Sequence, residues 1–229
     1  YASLIDDKYG ITIYEPLNYR LGGDSIRHDR KGYASRGWIE DYYPNGKLLH
    51  RGYYSEGQLK LYKNYYPDGK LERSYRTLDN YRSSIEKFYR DGILKSKVLY
   101  KEGYVLKWED YYPTGKLEYL EEFHKSLDYY IVKKSFFKNG QLESLLELNP
   151  KKKVSLSQNY FENGILKETG KIVFNETMYD YQKVGKWVIF DQNGKMTKED
   201  PGVLRIRRLK TSQRLQEVGR VILSLKVKK

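Results

Sequence analysis

Along most of the chain, apolar and polar positions alternate with a period of two, in blocks of seven or eight residues separated by turn-forming clusters. Trp108-Glu109-Asp110-Tyr111-Tyr112 and Leu117-Glu118-Tyr119-Leu120-Glu121-Glu122-Phe123 are typical, rich in the aromatics that suit a pleated surface. The clusters repeat. Tyr42-Tyr43-Pro44-Asn45-Gly46-Lys47-Leu48 returns as Tyr65-Tyr66-Pro67-Asp68-Gly69-Lys70-Leu71 and as Tyr111-Tyr112-Pro113-Thr114-Gly115-Lys116-Leu117. Looser copies begin at Tyr53, Phe88, Phe136 and Tyr160, and a degenerate last one at Phe190. Gly46, Gly69, Gly92 and Gly115 are 23 residues apart, Gly140 and Gly164 follow after 25 and 24, and Gly194 after 30. Gly57, Gly103, Asp79-Asn80, Lys125 to Asp128 and Asn149-Pro150 mark second turns near the middle of each period, so the chain reverses every 11–12 residues.

That spacing fits a strand plus a short turn and is too tight for helical repeats of about 34 residues. Pro presets φ, and Asn-Gly or Asp-Gly supplies the positive φ of tight hairpin connections. The pattern predicts an all-β fold, an elongated antiparallel meander of tandem β-hairpins with about a dozen strands. Each hairpin then contacts only its neighbours.

The tandem Tyr-Tyr-Pro-x-Gly-Lys-Leu units, with Gly37-Trp38 and the run from Val184 through Trp187 to Met196, resemble MORN repeats, more narrowly the bacterial YwqK-type antitoxin variant. The likeness spans roughly residues 36–198, about seven units. It implies a MORN-like repeat solenoid used as a protein-interaction or membrane-associating scaffold.

Composition accounts for the thinness of such a fold. Only 39% of residues are hydrophobic, and 25 of them are Tyr against 7 Phe. Tyr suits rings that pack on a neighbour while the hydroxyl meets a polar partner. This is the signature of a single-layer sheet rather than a thick core. Cys is absent, which removes disulfides, thiol catalysis and Cys-zinc sites. That absence, with Tyr1 rather than Met at the start, leads to the expectation of a bacterial exported protein, periplasmic or outer-membrane associated, with a cytoplasmic chain as the alternative.

The net charge of +13 is unevenly placed. After Pro201-Gly202, residues 203–229 hold nine Lys/Arg against the single acid Glu217, so +8 of the +13 lies in this tail. Leu215, Val218, Ile222 and Leu225 fall on one stripe if the tail is helical. Gly219 and the β-branched Val221 and Val227 weaken that reading, and a strand through Val203–Leu209 or a flexible terminus stands beside it. Three regions follow: an irregular N-terminal cap (1–35), the repeat array (36–202) and the basic tail (203–229).

Catalytic signatures are lacking. His28, His50 and His124 have no second ligand at metal spacing, and the Gly-Lys pairs lack the flanking residues of a phosphate loop. Glu40-Asp41, Glu109-Asp110 and Glu121-Glu122 are adjacent on strands and point to opposite faces, so none can act as an acid/base dyad. Interleaved Tyr and Lys could stack bases, but the repeat region mixes its acids evenly, which disfavours nucleic acid.

The expected function is a non-enzymatic protein–protein interaction scaffold, a subunit of a larger bacterial assembly, needing no cofactor or metal. The candidate contacts are Trp38, Tyr42, Tyr65, Trp108, Tyr111 and Trp187 on the array and Arg205, Arg207, Arg208, Lys210, Arg214 and Arg220 on the tail. The alternatives are an antitoxin masking a cognate toxin, and peripheral binding of an anionic membrane through residues 203–229.

Overall fold

The computed structural model describes residues 13–14, 26–29, 31–126, 129–149, 154–175 and 180–201, and the basic tail lies outside them. The described residues are all-β. β1 (Ile13–Tyr14) and β2 (Arg27–His28) form a small antiparallel pair. There follow β3 (Gly37–Tyr42), β4 (Leu48–Ser55), β5 (Gln58–Tyr65), β6 (Leu71–Thr77), β7 (Arg82–Phe88), β8 (Leu94–Lys101) and β9 (Tyr104–Tyr111). The series ends with β10 (Leu117–Phe123), β11 (Tyr130–Phe136), β12 (Leu142–Asn149), β13 (Val154–Tyr160), β14 (Leu166–Asn175), β15 (Asp180–Phe190) and β16 (Met196–Asp200). The last fourteen make one open sheet in strict chain order, each strand antiparallel to the next.

The repeated Pro-Asn-Gly and Pro-Asp-Gly turns differ from the sequence expectation in one respect. Gly46 has φ of 77°, but Asn45 does not share a positive φ; among the described residues, the non-glycine ones that do are Glu56 (51°) and Glu102 (52°), in the two-residue turns Glu56-Gly57 and Glu102-Gly103. The longer turn explains this. Gly46 N–H donates to the Tyr43 carbonyl and Tyr43 N–H to the Lys47 carbonyl, each at 2.8 Å, so Pro44 and Asn45 sit inside the reversal and only the glycine must turn left-handed. The Asx residue serves through its side chain instead: Asn45 Oδ1 accepts from Lys47 N–H (3.1 Å), and Asp68, Asp91, Asn139 and Asn163 make the same bond two residues on.

The two Tyr of the motif have separate jobs. The second one opens the turn, and its hydroxyl donates to a backbone carbonyl in the next unit: Tyr43 to Tyr65 (2.7 Å), Tyr66 to Phe88 (2.8 Å), Tyr89 to Tyr111 (2.9 Å) and Tyr112 to Phe136 (2.7 Å). Burial raises the pKa of Tyr66, Tyr89 and Tyr112, which keeps these donors protonated. Phe137 and Phe161 lack the hydroxyl. There the amides of Asn139 and Asn163 take over, donating to the carbonyls of Glu162 (2.9 Å) and Gln192 (3.1 Å).

Directly paired residues share a face, so the register divides the sheet into an inner face, which holds most of the buried side chains, and an outer face. Tyr54, Leu59 and Tyr62 are the buried cluster, with Ile39 and Tyr75 packed against it. A single-layer sheet can bury them because residues 26–29 and 31–35 lie against β3–β5. Arg27 N–H donates to Gly57 O (2.8 Å), Ser35 N–H to Arg27 O (3.0 Å) and Gly57 N–H to Ser35 O (2.8 Å). Arg27 itself is 1% exposed and clamps Asp41 through Nη2, 2.8 and 2.9 Å from the two carboxylate oxygens.

Candidate interaction surface

On the outer face of β3–β5 the alternation that hides Ile39, Gly52 and Tyr62 must expose their neighbours. Trp38 pairs with Tyr53 and Tyr53 with Leu61, which sets three large apolar side chains side by side across three strands. They are 53%, 38% and 38% exposed. Tyr53 meets the Trp38 ring edge-on at 5.5 Å and 67°, and the Arg51 guanidinium lies 4.8 Å from the Trp38 ring centroid. Glu40 holds Arg51 by its Nε at 3.3 Å. Aromatic stacking and cation–π contact thus fix Trp38 in place before any partner arrives.

The other sequence-selected residues do not join this patch. Tyr42 and Tyr111 are half-buried on the outer face, beside Glu40 and Glu109; Tyr42 donates to Glu40 Oε2, and that bond raises its pKa, whereas burial is the main cause for Tyr111. Tyr65 is half-buried and offers its carbonyl to Tyr43. Trp108 is half-buried on the inner face, its Nε1 donating to Asp110 Oδ1 at 2.7 Å. Trp187 is a correction. It is 2% exposed, spread over Gly170 on the adjacent strand, with Nε1 donating to the Lys171 carbonyl at 3.2 Å. A ring that fills the place of a missing side chain is a packing element and offers no docking surface. Arg205, Arg207, Arg208, Lys210, Arg214 and Arg220 lie outside the described residues.

Tyr53, Leu61 and Arg51 are absent from the set chosen by sequence. The signal for them is the two-residue alternation in β4 and β5, which becomes legible once the register with Trp38 is known.

The inner face carries a polar row that sequence did not suggest. Asp41, His50, Asn64, Arg73, Lys87, Ser96 and Asp110 stand in direct cross-strand register over β3–β9, one per strand. At one end its members are paired. Asp41 binds Arg27, and His50 Nδ1 lies 2.6 Å from Asn64 Oδ1, with Nε2 3.3 Å from the Tyr54 hydroxyl. Burial lowers the His50 pKa, outweighing the pull of Asp41, so the ring is held neutral. Glu40 and Asp41 illustrate the split of adjacent carboxylates: one faces out to Arg51 and the other in to Arg27. Among the described residues, no group of three or more His, Asp or Glu is placed to hold a metal ion.

Further along the same face, where Phe137 and Phe161 replace tyrosine, an open groove of about 470 Å³ is lined by these rings with Ser135, Ser144 and Asn159. Its polar groups satisfy one another: the two serine hydroxyls are 2.7 Å apart, and Asn159 Nδ2 donates to Glu168 Oε1 at 2.7 Å.

The MORN repeat variant family matches three segments of the chain, residues 39–56, 58–77 and 104–125. They coincide with β3–β4, β5–β6 and β9–β10, three of the hairpins described above. No curated protein matches the chain. Among solved structures, the chain has a likeness to an S. aureus TarM mutant in complex with Fondaparinux, alpha-GlcNAc-glycerol and UDP, at 12% identity and a TM-score of 0.28. The match covers 38% of this chain and 18% of the length of that one, and nothing about this chain follows from it.

Proposed function

We propose that this repeat array is a non-enzymatic protein–protein interaction scaffold, a subunit of a larger bacterial assembly, whose docking surface is the outer face of β3–β5. MORN-type repeats serve in protein or membrane interactions, which sets the general class. The observation that carries the reading is the row Trp38, Tyr53 and Leu61, three exposed apolar side chains set side by side across three successive strands, with Arg51 stacked against Trp38. Trp, Tyr and Arg are the residue types that anchor interfaces, and rigid, pre-stacked anchors lose little entropy on docking. The partner surface that fits is an apolar groove with an acidic rim to receive Arg51 and Lys63. Antitoxin action would be a special case, in which that partner is a toxin and the face covers its working site; co-expression with a growth readout tests it. Membrane attachment through residues 203–229 is a separate element of the proposal, tested by sedimentation with anionic vesicles before and after removing the tail.

The test of the scaffold face is affinity capture with the full chain and with a Trp38→Ala/Tyr53→Ala variant, at physiological salt. A partner that the parent retains and the variant loses supports the assignment. Equal capture by both, or capture by neither, overturns it.

A further inference from the structure

Three neighbours in the polar row of the inner face have chemistry that the fold does not use. Arg73 on β6, Lys87 on β7 and Ser96 on β8 are paired directly, Arg73 with Lys87 and Lys87 with Ser96. Like charges set opposite each other on one face repel. Elsewhere the sheet opposes unlike charges, as in Lys97 with Glu86 (3.2 Å) and Lys133 with Glu121 (3.6 Å), or sets like charges where water screens them, as in Arg51 opposite Lys63 and Arg82 opposite Lys101; the pair at Arg73 differs because that arginine is largely buried.

The donors of this cluster are also poorly satisfied. The Arg73 side chain is 14% exposed, and its nearest carboxylate oxygen, on Glu72, is 3.8 Å from Nη2, beyond hydrogen-bond range. Arg73 Nε and Nη1 and the Ser96 hydroxyl are buried with no hydrogen-bond partner. The next member of the row, Asp110, accepts from Trp108 and, with Glu72, offers negative charge to Lys87, so what the cluster lacks is hydrogen-bond acceptors for Arg73 and Ser96. Burial lowers the Lys87 pKa, and the charge of Arg73 adds to the effect. A buried donor left unpaired costs about 1–3 kcal/mol, more when charged. A fold keeps such a cluster most economically when a ligand completes it.

We propose that Arg73, Lys87 and Ser96 form a binding site for a phosphate group, free or as a small phosphomonoester. A phosphate brings three strong acceptor oxygens to the unpaired donors of Arg73 and Ser96, more than the two of a carboxylate. Donors on three successive strands suit several oxygens of one tetrahedral group better than the two of a planar one. The site is on the face opposite Trp38, so its failure leaves the docking proposal untouched.

The test uses the full chain with inorganic phosphate, glycerol phosphate or acetate, at ionic strength held constant with chloride. Thermal unfolding and ³¹P linewidth are read for the parent, Arg73→Gln, Lys87→Gln and, as an outer-face control, Lys134→Gln. In the parent and the control, phosphate or glycerol phosphate raises the melting temperature by about 3–6 °C at ten times the dissociation constant, and the ³¹P line broadens. Neither effect occurs in the Arg73 or Lys87 variants. A response to glycerol phosphate alone identifies the ester as the ligand; a response to both shows that the phosphate group suffices. No response in the parent, an equal response to acetate, or an unchanged response in Lys87→Gln overturns the site. If Arg73→Gln does not fold, Lys87→Gln and the ³¹P measurement decide.

Discussion

Replacing Gly170 with alanine tests whether the buried indole of Trp187 is seated on a missing side chain. A Cβ built at Gly170 lies 2.2, 2.3 and 2.5 Å from Trp187 Cδ2, Cε2 and Cγ, against 3.4 Å for the start of ordinary contact, so the ring must withdraw by about an ångström or more. Gly170 has no left-handed φ, so the backbone accepts alanine without strain. Overpacking of this kind costs about 1–3 kcal/mol, and loss of the Trp187–Lys171 hydrogen bond adds about 1 kcal/mol. The entropy that alanine removes from the unfolded chain offsets about 0.4–1 kcal/mol. The net loss is about 1–3.6 kcal/mol, a fall in melting temperature of about 2–14 °C for a chain of this size. Circular dichroism through thermal and urea unfolding measures it. The cycle is completed in Trp187→Ala, where the same substitution has nothing to strike and becomes neutral or slightly stabilising. An unchanged melting temperature for Gly170→Ala, or an equal penalty with and without the indole, would refute the reasoning.

Three further outcomes follow from the same geometry. Tyr89→Phe leaves the Tyr111 carbonyl without its donor and lowers stability by about 0.5–1.5 kcal/mol in urea unfolding, while Phe137→Tyr, which restores the motif's tyrosine, gains up to a similar amount. Arg27→Met strands the buried Asp41 carboxylate and costs about 3–5 kcal/mol in the same assay. His50 has a folded pKa below its unfolded value of about 6.5, so its neutral form is the one the fold holds. Its contribution is complete above pH 6.5 and declines as pH falls below that toward the folded pKa; the parent therefore loses stability on acidification more steeply than His50→Gln, and parallel curves would contradict this.

What sequence made legible was whatever depends on local period. Turn spacing, strand length and the succession of hairpins all follow from the recurring glycines and the two-residue alternation. What it left hidden depends on register. Tyr42 and Tyr43 are equivalent as letters, yet one faces out beside Glu40 and the other bonds the next unit, a difference set by the shift in pairing between Asp41 and Tyr42. Trp38 and Trp187 look alike as rare indoles, but Trp187 is buried because Gly170, seventeen positions earlier, stands beside it in the sheet. The row from Asp41 to Asp110 is invisible in the chain because its members are separated by varying intervals and meet only across strands. The Asn45 turn differs for a physical reason: the dipeptide Asn-Gly suggests two positive φ values, but the reversal from Tyr43 to Lys47 is longer than two residues, as it also is at Asp91, Asn139 and Asn163 where no Pro precedes, and the Asx oxygen is used as an acceptor instead.

The tyrosine hydroxyls that reach from one turn to the next each skip a strand. No hairpin of the first four units can therefore be peeled away without breaking a bond that belongs to its neighbour. After Tyr112 the phenols stop and asparagine amides replace them, which puts a seam in an otherwise uniform ribbon. Because each turn-to-turn bond spans two strands on both sides of the seam, the expected amide exchange is stepped rather than graded, two strands being released at each step.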